Sequence, residues 1–140
     1  MLFLRRTKVI IPYPLIAVSF NPLDSTTYYI GCSPAAPTTT ADRRFGYLVR
    51  KGVVKSVILN WHSTGVTGTT EDITATLELD GATAAPIALL TQGTGSKLFA
   101  SDVLSIAYSG LVRYEVKIVT PAWVTNPTNV CLGGTIFIEE

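Results

Sequence analysis

The sequence predicts an all-β chain: one antiparallel β-sandwich or barrel of about eight to ten short strands. Three observations carry that prediction. Apolar and polar residues alternate with period two in several stretches, the signature of strands buried on one face. Turn signals separate those stretches at short intervals. No window of a dozen residues carries a convincing helical period. A chain of 140 residues makes one domain the prior, and a domain of that size buries roughly 68–70% of the surface its unfolded chain exposes, enough for one core to hold it.

The first stretch, "MLFLRRTKVIIPYPLIAVSF", opens as an arm. Pro12 and Pro14 forbid a helix through it, and Arg5, Arg6 and Lys8 keep its tip wet. An extended arm that docks on a neighbour is expected, which makes Arg5, Arg6 and Lys8 candidate partner contacts. The run does not read as a secretory signal, because its apolar residues precede the arginines and no small-residue cleavage site follows. Nor does it read as a membrane span, since the prolines interrupt it. Asn126-Pro127-Thr128, which has the outline of an N-glycosylation acceptor, is blocked by its proline. Secretion by a eukaryotic route is therefore not expected.

Strands are expected at Ile16–Phe20 and Tyr28–Ile30, with the Asn21-Pro22 turn between them. Alternation sends one of Tyr28 and Tyr29 outward, where it could meet a partner or a sugar. "SPAAPTTTAD" reads as a loop, and Phe45–Val49 as a further strand. "GVVKSVILNW", Gly52–Trp61, is apolar on both faces. It is either a central strand covered twice or a strand at a subunit contact. Val53, Val54, Val57, Ile58 and Leu59 are the candidate contact residues.

"STGVTGTTED" reads as a turn region. After it, Ile73, Ala75, Leu77 and Leu79 alternate with Thr74, Thr76, Glu78 and Asp80, and Asp80-Gly81 closes the strand as a hairpin turn. "GATAAP" and "TQGTGS" read as turns around Ile87–Leu90. Lys97–Ala100 and Val103–Tyr108 follow as strands. Val112, Tyr114, Val116 and Ile118 then face one way, and Arg113, Glu115 and Lys117 the other. "TIFIEE" closes the chain.

Charged residues make up 15% of the chain against the usual ~25%, which points to surface covered by other subunits as readily as to a threonine-rich exterior. The net charge of +1 supplies no long-range field for nucleic acid, and no membrane insertion is expected. Cys32 and Cys131 form no CxxC or zinc spacing and are expected free and mostly buried. No catalytic set is visible. His62 is adjacent to Ser63, whose side chain would point to the opposite strand face, and no GxSxG occurs. "GTGSK" lacks the order of a phosphate loop. The acidic residues between Glu71 and Glu115 do not form a D-x-D loop, so no metal or other cofactor is expected.

The segment "TPAWVTNPTNV", Thr120–Val130, is the most specific feature. Pro121 and Pro127 each remove a ladder donor, and Pro127 biases Asn126 toward extended geometry. Trp123 sits between them and needs cover. A rigid crossover is expected, with Trp123 buried against the ends of the strands near Val112–Val119 and Thr135–Ile138.

This crossover, with "GVVKS", the hairpin "LELDG", the strand "ASDVLSI" and the final "GTIFIE", resembles a group of small jelly-roll proteins of phages and other viruses. Asp80 stands where that group carries Asn, and Ser101 where it carries Gly. The resemblance covers residues 45–140, and residues 1–44 are expected to hold the arm and the first strands of the same single domain. It implies a β-sandwich of jelly-roll type. It implies a virion location and a structural part without enzyme activity, of capsid, decoration, fibre or spike type. The implied partners are copies of itself, as a homotrimer, other virion proteins, and a host surface glycan or receptor. The competing expectation is a monomeric carbohydrate-binding sandwich module.

Overall fold

The computed structural model describes residues 8–33, 36–41, 45–63, 71–91 and 97–140. They form nine strands: β1 (Ile10–Phe20), β2 (Thr27–Ile30), β3 (Gly46–Leu48), β4 (Gly52–His62), β5 (Asp72–Leu79), β6 (Ala82–Thr91), β7 (Lys97–Tyr108), β8 (Val112–Val119) and β9 (Val130–Glu139). One sheet has the order β1-β9-β4-β7; the other runs β2-β8-β5-β6, with β3 also on β8. Every pairing is antiparallel.

The pairing is nested. β5 pairs β6, β4 pairs β7, β2 and β3 pair β8, and β1 pairs β9. A chain folded double about one hairpin and then rolled into two sheets gives that order, which is the jelly roll. The hairpin at the centre is Asp80-Gly81. Both residues have positive φ, 52° and 76°, as a two-residue type I′ turn requires.

The core lies between the sheets. Tyr114, Val116 and Ile118 of β8 and Ile73, Ala75 and Leu77 of β5 face it, as their alternation predicts. From the other sheet come Leu15 and Ala17, Val54, Val57, Leu59 and Trp61, and Val130, Leu132, Ile136 and Ile138. Val54 and Val57 are three apart yet both fully buried, because β4 bulges between Val54 and Ser56 and restarts its alternation there.

Several sequence expectations change. The arm ends sooner than expected, since β1 already begins at Ile10 and runs through Pro12 and Pro14. Prolines fit because β1 is an edge strand. The Ile16 amide, of the same parity, points away from β9 and donates to the Gly31 carbonyl at 2.8 Å, so Pro12 and Pro14 lack their N–H on the open side. Within "GATAAP" only Gly81 is turn; β6 starts at Ala82 and absorbs two register shifts against β5. Lys97–Ala100 and Val103–Tyr108 are one strand, and β9 starts at Val130 rather than near Thr135. Cys32 and Cys131 are free but exposed, not buried. Cys131 sits between the buried Val130 and Leu132, so alternation turns it outward.

Candidate functional site: an outer sheet face and the two ends of the sandwich

β1, β9, β4 and β7 turn one set of side chains outward. Register places Ile10, Glu139, Val53 and Ala107 in one row across the sheet, and Pro12, Phe137, Ser56 and Val103 in the next. Pro14, Thr135 and Ile58 lie in the row after that. Val103 is 88% exposed and Ile10 51% exposed. Among the described side chains of these strands, Lys55 and Glu139 alone carry formal charge. An antiparallel sheet with one wet face normally alternates apolar with polar; this one also sets Ile10, Val53, Ile58, Val103 and Phe137 on its outer side, among Glu139, Ser56 and Thr135. On the opposite sheet β5 and β8 carry Asp72, Glu78, Arg113, Glu115 and Lys117, with a Lys117–Glu78 ion pair at 3.8 Å; Asp72 is exposed, whereas Glu78 and Glu115 are buried.

The subunit-contact set must be corrected accordingly. Val54, Val57 and Leu59 are fully buried in the core and cannot touch a neighbour. Val53 and Ile58 are half-buried and share the outer face. Sequence reasoning missed Ile10, Phe137 and Val103, because they join Val53 and Ile58 only through strand pairing.

One end of the sandwich is closed by the crossover. Trp123 is buried, and its ring lies 6.4 Å from that of Trp61, which also meets Phe20 at 6.1 Å. Its aromatic neighbour is thus the end of β4. The crossover is strapped to the β1–β2 loop. The buried Thr120 hydroxyl donates to the Leu23 carbonyl at 2.7 Å and accepts from the Thr26 amide at 3.0 Å. The Trp123 amide donates to the Asp24 carboxylate at 3.2 Å, and the Asn129 amide to the Asn21 side chain at 2.9 Å. The Asn126 amide group reaches the Pro22 carbonyl at 3.4 Å. Pro127 is buried and Pro121 half-buried. The partly exposed Tyr29 and the buried Tyr28 lie on β2; the Tyr28 hydroxyl accepts from the Leu23 amide at 2.9 Å.

The Val124 amide donates to the Oε1 of Glu71 at 2.8 Å, and Glu71 is itself buried. Glu71→Ala is expected to cost about 1–3 kcal/mol, because it leaves the Val124 amide without its acceptor; a urea melt checks this, and a cost near zero would mean water replaces the carboxyl group.

At the opposite end lies an open depression of about 340 Å³ between the starts of β1 and β4 and the ends of β7 and β9. Lys51, Gly52, Val53, Tyr108 and Glu140 line it, with the Lys8–Glu139 ion pair (2.7 Å) at its wall. The Tyr108 hydroxyl and the Glu140 Oε1 are buried and have no hydrogen-bond partner. Burial, with the Glu140 carboxylate and Tyr13 adding to it, pushes the Tyr108 phenol up to about 12. It therefore stays protonated at ordinary pH. The Lys8 hydrogen bond holds the Glu139 carboxyl below its ordinary range.

Lys8, expected on an arm that docks on a neighbour, is thus paired with Glu139 of its own sheet. Arg5 and Arg6 lie outside the described residues, as does nearly all of "GTGSK". His62 ends β4 half-buried, beside the buried Ser63. Among the described residues no group of three or more His, Cys, Asp or Glu is placed to hold a metal ion. No known protein-family model matches the chain, and no curated protein matches it.

Proposed function

We propose that the chain is a non-catalytic structural subunit of a virus particle, of capsid, decoration, fibre or spike type, that works by assembling with copies of itself. The observation that carries the reading is the outer face of the β1-β9-β4-β7 sheet, where Ile10, Val53, Ile58, Val103 and Phe137 stand together with few charges. A face with so little charge presents no repulsion to its own copy, and repeating one patch around a closed ring covers it in every subunit. The prolines remove two donors from the open edge of β1, which disfavours strand-to-strand addition there and leaves the face for contact. The jelly-roll order agrees with the group the sequence resembles, from which the trimeric state, the virion location, and contact with other virion proteins or a host glycan are carried over by analogy.

The mass in solution tests this. The wild-type chain should be a closed homo-oligomer, with a trimer expected, at concentrations on the order of tens of micromolar. Val103→Glu should dissociate it while leaving the monomer's fold intact, since Val103 is 88% exposed and surface changes usually stay within about 0.5 kcal/mol. A monodisperse wild-type monomer sinks the assembly reading and favours the monomeric carbohydrate-binding module.

A further inference from the structure

We infer that residues 1–4 of one copy dock on the outer face of the β1-β9-β4-β7 sheet of the next copy. The contact needs two copies, so it rests on the assembly proposed above and names the segment that covers its face. Met1, Leu2, Phe3 and Leu4 form an unbroken apolar run, followed at once by Arg5 and Arg6. The face offers the matching surface. Val103 on β7 is 88% exposed and Ile10 on β1 51% exposed, with Val53, Ile58 and Phe137 half-buried on the strands between. The arginines that follow the run suit the wet rim of such a contact, where charge is tolerated.

The point where the chain leaves its sheet selects the receiving copy. Val9 and Glu140 exchange two backbone hydrogen bonds, at 3.2 and 3.0 Å, so the β1–β9 ladder continues to the end of the sheet. There the Lys8 ammonium donates to Glu139 at 2.7 Å. The backbone is thus held extended and aimed past its own sheet. Returning to its own outer face would take a reversal within residues 5–8. Arg5, Arg6, Thr7 and Lys8 include none of the Gly, Pro, Asn, Asp or Ser that favour tight turns. A neighbour ahead needs no reversal. At ~3.3 Å per residue, residues 1–7 reach roughly 23 Å, and the apolar four cover about 13 Å. Four strands at ~4.8 Å spacing measure about 14 Å from first to last, so the run is long enough to cross the face. Tip and face are different patches of one chain, and a head-to-tail contact of that kind can close into a ring.

Phe3→Glu together with Leu4→Glu, made in the full-length chain, tests the contact. The concentration at which half of the oligomer dissociates should rise about a hundredfold or more in sedimentation, the effect of withdrawing two buried apolar side chains. The dissociated double variant should melt with the Val103→Glu monomer, which separates lost docking from lost folding. A second measurement locates the tip. With benzoylphenylalanine at position 3, irradiation of the oligomer should give a covalent dimer whose adduct lies on Ile10, Val53, Ile58, Val103 or Phe137. If the double variant associates as tightly as the wild type, the docking is overturned and the assembly stands. An adduct within one chain, or on the β2-β8-β5-β6 sheet, has the same consequence. A wild-type chain that is monomeric overturns both.

Discussion

Trp123→Ala is expected to lower the unfolding free energy by about 3–5 kcal/mol, the typical cost of emptying a buried aromatic site. The melting temperature should fall by roughly 10–20 °C. Trp123 is 7% exposed and lies against Trp61, itself 1% exposed, so its removal leaves a hole between the crossover and the end of β4. That hole cannot close easily. Thr120, Trp123 and Asn129 are fixed by hydrogen bonds to the β1–β2 loop, and the prolines on both sides stiffen the chain. Trp123→Phe should recover most of the loss. It keeps much of the ring and removes the Trp123 Nε1 donor, which is buried without a partner. Thermal and urea melts of both variants decide the matter. A wild-type melting temperature for Trp123→Ala, with loss of ligand or partner binding, would mean that the ring serves recognition instead.

The second large effect is expected at Gly134. It faces inward on β9, with Leu59 of β4 and Leu15 of β1 as its register partners. A Cβ there would run into the backbone carbonyl of Ile58. A backbone atom in a paired strand cannot rotate away, so β9 and β4 would have to separate. Gly134→Ala should cost about 1–3 kcal/mol or more, in the range of overpacking, and Gly134→Val should fail to accumulate as folded protein. Gly133→Ala is the matched control. The nearest atom a Cβ would meet there is the Asn60 side chain at 3.6 Å, an ordinary contact. That variant should be neutral, or more stable by about 0.4–1 kcal/mol because alanine restricts the unfolded chain. Equal costs at the two positions in urea melts would rule out the close approach as the reason for glycine at 134.

The legible parts of the molecule are those governed by neighbours in sequence. The alternation of Ile73–Leu79 and of Val112–Ile118 gave both the strands and their buried faces, since period two is a property of a single strand. Asp80-Gly81 announced the central hairpin because few residue pairs accept positive φ twice in succession. In "GATAAP" the glycine does belong to the hairpin turn, but the proline misled, because an edge strand with register shifts tolerates it. The candidate site was far less legible. Val53 and Ile58 were singled out together with Val54, Val57 and Leu59, and nothing in the run of apolar residues separates the two groups.

By itself, then, the sequence determined an all-β chain, the positions of its stronger strands, a stiff crossover around Trp123, and a surplus of apolar residues over charged ones. Tertiary structure alone decided how that surplus is divided. The bulge beside Lys55 assigns Val54 and Val57 to the core and leaves Val53 and Ile58 outside. Nested pairing brings Lys8, Gly52, Tyr108 and Glu140 around one open depression, although they are spread over nearly the whole chain. Pairing also distinguishes Gly133 from Gly134, adjacent and identical in composition, by what stands across from each. The physical reason is range. Alternation, turn chemistry and proline stiffness act within a few residues, whereas register, bulges and sheet order are fixed by contacts between strands far apart in the chain.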